Sequence, residues 1–274
     1  MLDLVTVGEA FDDFIFYNLP EIPAPGRELR TAAFARTIGG GAVITAVAAA
    51  RLGTRCGIVS ALSPHAAARL RREHVAVRNI RRGGDAVALT VALSTTRDRR
   101  FVTFDGGNDG LAARWERIVP KLCARQLHFA FQPRTCRPWV SIVEKLRQRG
   151  MATSWDFGWN LKLKKDRDFQ RLCAAVDVLF LNGDEARAYA TAQEWRRMPH
   201  PVVIKLGSKG ARITGRGLDL RARPPRASVL DTTGAGDVFD AGFLVAQLRG
   251  ASLLDALKLA NKMAAKSTER VGGI

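Results

Sequence analysis

Asp231-Thr-Thr-Gly-Ala-Gly-Asp237 stands between residues 227–230, which read as a strand, and the apolar run 238–248, which reads as a buried helix. A glycine-rich turn that opens a helix presents free backbone N–H groups at the positive end of the helix dipole, so it can hold an anion. Gly234 and Gly236 carry no Cβ, and a ligand can approach this backbone closely. Asp237 does not suit a plain anion site, because its carboxylate repels the anion. It suits one where the carboxylate takes a proton from a nucleophile attacking the bound anion, the arrangement of phosphoryl transfer. A second reading has Asp237 as the helix N-cap, a place that Asp often fills. The turn by itself leaves the two readings level.

Working outward, 274 residues can bury a large core and form one big α/β domain or two smaller ones. A hydrophobic content of 47% with 25% charged residues is ordinary for a globular chain. No apolar run reaches the roughly 18 residues needed to span a bilayer. Leu2-Asp-Leu-Val-Thr-Val7 is strand-like and is not a signal peptide, so a cytoplasmic protein with no membrane partner is expected. Cys56, Cys123, Cys136 and Cys173 are scattered and the four histidines form no i,i+4 pair, which argues against disulfide frameworks and structural metal sites. The net charge of +17 comes from arginines spread over the whole length. With no basic tail and no nucleic-acid module, a solvated surface explains them better than nucleic-acid binding.

Along the chain, Glu9-Ala-Phe-Asp-Asp13 reads as a loop after the first strand, where open α/β sheets place their ligands. Asp13 is a candidate there, and Asp12 a plain loop residue. Pro- and Gly-punctuated residues 20–26 suit edge strands and turns. Gly39-Gly-Gly41 opens an alanine-rich helix closed by Gly53, and Ser63-Pro64 caps another that runs to about His74. Residues 87–94 and 100–104 read as a hairpin joined by Thr95-Thr-Arg-Asp-Arg99. From residue 110 strands and helices alternate: strand 127–131, helix 138–149, strand 151–155, a helical segment to Ala175, strand 178–181, a helix opened by Asn182-Gly-Asp-Glu185, strands 202–206 and 211–214, and a last helix 253–267. That alternation signals a doubly wound, mainly parallel sheet, with Asp13, Asp156, Asn182 and Gly207 at strand ends facing one crevice. A Walker P-loop, a G-x-G-x-x-G after the first strand, a G-x-S-x-G elbow and the protein-kinase signatures are all absent.

Asp231-Thr-Thr-Gly-Ala-Gly-Asp-Val-Phe-Asp-Ala-Gly-Phe-Leu244 closely resembles the C-terminal signature of the ribokinase-like (PfkB) carbohydrate kinases. Gly39-Gly-Gly-Ala-Val-Ile-Thr-Ala-Val-Ala-Ala-Ala-Arg-Leu-Gly53 is similar to their N-terminal signature, Asn182-Gly-Asp-Glu185 to their Asn-x-x-Glu motif, and Lys205-Leu-Gly-Ser-Lys-Gly210 to their nucleotide-side turn. The resemblance implies one ribokinase-like α/β domain over residues 1–274, with lid strands from about 14–36 and 87–105. It also implies an ATP- and Mg²⁺-dependent kinase for a hydroxyl-bearing small molecule, usually a sugar. Asp237 would be the general base, and Gly234, Ala235 and Gly236 the anion hole. Asn182 and Glu185 would hold Mg²⁺ through water. Lys205, Gly207, Gly210, Thr232 and Asn261 would line the nucleotide pocket, and Asp13, Gly39, Gly40 and Asn108 the acceptor side. A homodimer through the lid is compatible with this pattern.

Ile44 stands where the family has a hydroxyl-binding Asn, and Ala61-Leu-Ser-Pro-His65 replaces an acidic Gly-Asp-rich loop. An apolar group in place of a polar reader predicts an atypical sugar, a nucleoside-like molecule or a less polar acceptor. A member that binds a nucleotide or metabolite without turnover is the alternative.

Overall fold

The computed structural model describes residues 1–95 and 99–274. In chain order the strands are β1 (Leu2–Gly8), β2 (Phe11–Leu19), β3 (Phe34–Gly39), β4 (Cys56–Ser60), β5 (Ala76–Asn79), β6 (Leu89–Thr95), β7 (Arg99–Phe104), β8 (Ala124–Ala130), β9 (Ala152–Asp156), β10 (Val178–Asn182), β11 (Val202–Lys205), β12 (Ala211–Gly215) and β13 (Leu218–Ala222). The helices are α1 (Gly41–Arg51), α2 (Pro64–Arg72), α3 (Leu111–Ile118), α4 (Arg137–Gln148), α5 (Phe169–Ala175), α6 (Gly183–Tyr189), α7 (Ala192–Arg197), α8 (Ala235–Leu248) and α9 (Leu253–Ser267).

The large sheet runs β13-β12-β11-β10-β9-β8-β1-β4-β5, parallel except where β12 and β13 turn back at one edge. Its inner strands are apolar on both faces because helices cover both. Along β1 the side chains alternate with the pleat: Val5 and Val7 join Trp115, Trp139 and Trp155 on one side, and Leu4 joins Ile44, Phe239 and Phe243 on the other. From β1 the chain winds outward to β4 and β5, then returns to the far side of β1 as β8. That reversal opens a crevice at the C-terminal ends of β1 and β8. A Cβ on Gly8 would collide there with the Ala130 carbonyl and with Ala42, so the glycine permits the close approach of α1 to this strand pair.

A second sheet, in the order β3-β2-β6-β7, stands over the crevice and is the lid. β2 follows β1 after Glu9 and Ala10 alone, so Asp12 and Asp13 lie on a strand and not, as expected, in a loop. Successive strand residues face opposite sides, and this separates their roles. Asp12 turns to the core, accepting from Ser63 Oγ at 2.6 Å and from Arg36 at 2.8 Å. Ser63 in turn caps α2 through the Ala66 N–H.

Residues 227–230, expected as a strand, form none, and β13 pairs with β12 where no strand was expected. The hairpin of β6 and β7 forms as anticipated. Its connecting residues 96–98 lie outside the described residues. Among the described residues no helix is long and apolar enough to cross a membrane.

Candidate active site

The crevice is a cleft of about 1100 Å³, and α8 enters its floor. Gly234, at φ 71° in the left-handed region, is the N-cap of α8 and makes no side-chain cap. The N-cap reading of Asp237 is therefore wrong: Asp237 sits one turn into the helix, at its third residue. Ala235 N–H is spent on the Thr232 carbonyl at 3.2 Å. Gly234 and Gly236 N–H have no hydrogen-bond partner among the described residues, as expected at a helix start. The turn is tied down from behind: Asp231 accepts from Thr233 N–H at 2.7 Å and from Gly272 N–H at 2.9 Å. Thr45 Oγ1 donates to the Asp237 carbonyl at 3.2 Å.

The Asp237 carboxylate faces the start of α1, where a Cβ on Gly41 would lie 2.9 Å from its Oδ1. Burial pushes its pKa up to about 7; the Lys205 ammonium pulls it down, and Asp156 and Glu185 push it further up. A carboxylate that exchanges its proton near neutral pH suits a general base.

Lys205 is held rather than extended into the cleft. Its Nζ donates to Asp156 Oδ2 at 2.6 Å, to both Asp240 oxygens at 3.1 Å, and to the Gly236 carbonyl at 3.5 Å. Asp240 is fully buried, and that burial raises its pKa well above the usual range. Burial acts the same way on Asp156, but the Lys205 ammonium wins and keeps that carboxyl below its ordinary value. Oxygens of Asp156, Asp237 and Asp240 approach within 4.8 Å of one another, a spacing that would hold a metal; the ammonium supplies the cation there.

Across the cleft, Asn182 and Glu185 form a reciprocal capping box at the start of α6. Asn182 Oδ1 accepts from Asp184 and Glu185 N–H at 2.9 Å, and Glu185 Oε2 accepts from Asn182 N–H at 2.7 Å. Both line the cleft. Burial, with Asp156 adding repulsion, lifts the Glu185 pKa to about 7. These are hard oxygens of the type that suits Mg²⁺ with its waters retained, and here they accept from Asn182 and from the first N–H groups of α6. Gly207, Gly210, Thr232 and Asn261 line the same cleft, with Asn261 Nδ2 on the Ala222 carbonyl at 3.0 Å.

On the lid side the expectations divide. Asp13 lies over Gly39, where any Cβ would strike its carboxylate, and burial, reinforced by Asp12, raises its pKa to about 6. Gly40 packs on the Glu9 backbone. Asp13, Gly39 and Gly40, like Asn108, are not among the residues that line the cleft; Asn108 is buried, donates to the Ala10 carbonyl at 3.2 Å, and borders a small separate hollow with Asp12 and Ser63. Ile44 is 4% exposed and packs in the core beneath Gly234 and Gly273.

Two site residues escaped the sequence reading. Glu9 lines the cleft, its pKa lifted to about 7 by burial and then by Asp105. Asp240 was hidden inside the helical signature; a lone carboxylate among Val238, Phe239, Ala241 and Phe243 was the available signal, since a buried acid demands a partner.

The family model of the pfkB carbohydrate kinases matches residues 1–274, and the chain belongs to that family, phosphotransferases with an alcohol group as acceptor. The chain is 28% identical to a nucleoside kinase of Methanothermobacter thermautotrophicus over 98% of this chain and 90% of that one. A probable sugar kinase of Rhizobium etli CFN 42 superposes with a TM-score of 0.82 at 22% identity, covering 99% of this chain and 94% of the other. The Burkholderia thailandensis nucleoside kinase solved with inosine gives 0.80 at 21% identity, over 98% and 92%.

Proposed function

We propose that this protein transfers the γ-phosphoryl group of ATP to a hydroxyl of an uncharged sugar or nucleoside held between the cleft and the lid. One observation carries the reading: a carboxyl poised near neutral pH, Asp237, stands in the first turn of a helix whose leading N–H groups of Gly234 and Gly236 are unspent. Asp237 removes the acceptor proton as the hydroxyl oxygen attacks the γ-phosphorus. The turn's N–H groups stabilise the charge on the transferring group, which is most of what phosphoryl transfer asks of a protein.

Asn182 and Glu185 would hold Mg²⁺ through its waters, and the ion would supply further neutralisation of phosphate charge. Gly207, Gly210, Thr232 and Asn261 border the nucleotide. Asp13, Glu9 and the backbone at Gly39 and Gly40 receive the acceptor hydroxyls. A nucleoside acceptor gains support from the nucleoside kinase that matches nearly the whole chain. One face of the lid sheet carries exposed Phe34, Val102 and Phe104, and we assign it to pairing with a second copy, which sedimentation velocity tests.

The test is ADP release in a coupled assay across a panel of sugars and nucleosides, with Asp237→Asn alongside. Acceptor-dependent ADP release that collapses in the variant is expected. Release without an acceptor, or release indifferent to the substitution, counts against the mechanism. Saturable calorimetric binding with no phosphorylated product assigns the chain instead to binding without turnover.

A further inference from the structure

Lys205 occupies the strand end that borders the nucleotide side of the cleft, yet its side chain has nothing left to offer a phosphate. An ammonium has three donors. Here one goes to Asp156 Oδ2 at 2.6 Å, one is shared by the two Asp240 oxygens at 3.1 Å, and one points to the Gly236 carbonyl at 3.5 Å. The side chain is 13% exposed, Asp156 14% and Asp240 0%. Phe180 closes the bottom of the pocket, its ring centre 5.8 Å from Nζ. A buried ammonium that is saturated by protein groups does not swing out to a ligand without leaving two carboxylates unpaired, a costly exchange.

Lys205 and its partners come from three elements. Asp156 ends β9, Lys205 ends β11, and Gly236 with Asp240 belongs to the first two turns of α8. A Cβ on Gly236 would lie 3.3 Å from Nζ, so the ammonium sits directly against the turn that carries Asp237. Resting on the reading of Asp237 and its turn as the phosphoryl-transfer apparatus, we propose that Lys205, seated on Asp156 and Asp240, is a positioning residue. It fixes the height and orientation of the Gly234–Asp237 turn over the sheet and does not bind the nucleotide. Asp240 then explains itself: it is the acid that lets a lysine be buried beneath the turn.

The experiment compares wild type, K205M/D240N and K205R. The double variant removes the ammonium together with the acid that seats it, which leaves Asp156 as the one charged member of the cluster. The acceptor-dependent kcat and the KM for ATP are measured, along with calorimetric binding of ADP, which needs no turnover. We expect K205M/D240N to lose at least 100-fold in kcat while KM for ATP and the ADP dissociation constant stay within threefold of wild type. K205R, which keeps the charge, is expected to recover part of the kcat. A tenfold or greater weakening of ADP binding overturns the assignment, because Lys205 is then a nucleotide ligand. An unchanged kcat also overturns it, because the triad then serves the fold alone. If the double variant does not melt cooperatively, K205R against wild type carries the same comparison of kcat with ADP binding. A wild type without turnover refutes the kinase reading separately, and the ADP titration still decides whether Lys205 touches the nucleotide.

Discussion

Replacing Asp237 by Asn should make the protein inactive and, above neutral pH, more stable. The carboxyl titrates near 7 in the folded protein against 3.8 in an unfolded chain, chiefly because burial disfavours its charged form. The folded state therefore binds a proton more tightly than the unfolded state does. Between about pH 4 and pH 7 the folded protein holds more protons, so its stability falls as pH rises through that window and levels off above it. The displacement of roughly three pH units corresponds to about 4 kcal/mol as a ceiling. Even half of it, about 2 kcal/mol, moves the melting temperature of a chain this size by roughly 5 °C.

The amide of Asn has the same shape and no charge to desolvate. Melting curves of wild type and D237N at pH 5, 6, 7 and 8 should therefore already differ at pH 5 and diverge further as pH rises, with the variant ahead by several degrees at pH 8. Over the same range the wild-type kcat/KM should climb to a plateau through about pH 7, while D237N should be lower by about 10²–10⁴-fold, the worth of a general base. Parallel melting curves, or a wild type that is the more stable at pH 8, would show that Asp237 is not held at a cost, and the inference from its burial would fail.

Gly234→Ala places a side chain at φ 71° with its Cβ 2.8 Å from Ile44 Cδ1 and 2.9 Å from the Gly273 Cα. We expect a loss of at least about 1–2 kcal/mol in denaturant titration, along with most of the turnover. Asp12→Ala removes the partner of Ser63 and Arg36 and should lower the melting temperature while leaving the acceptor KM within a few-fold, since this carboxylate faces away from the cleft. At the acceptor end Glu9 and Asp13 are both acidic, and the cations lining the cleft are Lys205, which is engaged, and Arg226. In competition assays a neutral sugar or nucleoside should therefore exceed its phosphorylated counterpart by more than tenfold in kcat/KM; parity would contradict the acidic reading of that end.

Much of this site was legible because it is local in sequence. The turn Gly234 to Asp237, the capping box of Asn182 and Glu185 and the turn Gly207 to Gly210 are each built from neighbours whose backbone chemistry is set within a few residues. The alternation of apolar strands and helices likewise declared a parallel sheet, since each element's period is written along the chain. Residues 227–230 misled because an apolar run predicts a strand only if another strand is there to pair with it, and none is. The place of Ile44, in the core beneath Gly234, was not written along the chain, because only packing decides which way that helix turn points.

The sequence by itself determined the doubly wound sheet, the family and the position of the glycine-rich turn that opens α8, all of which follow from contiguous pattern. Only the tertiary structure decided which groups meet across it. Asp156, Lys205 and Asp240 are far apart along the chain, and their mutual neutralisation exists only where β9, β11 and α8 converge. Asp237, in the turn that opened the sequence reading, is no N-cap. Burial and three surrounding charges bring its proton into reach of neutral pH, and those charges assemble only on folding.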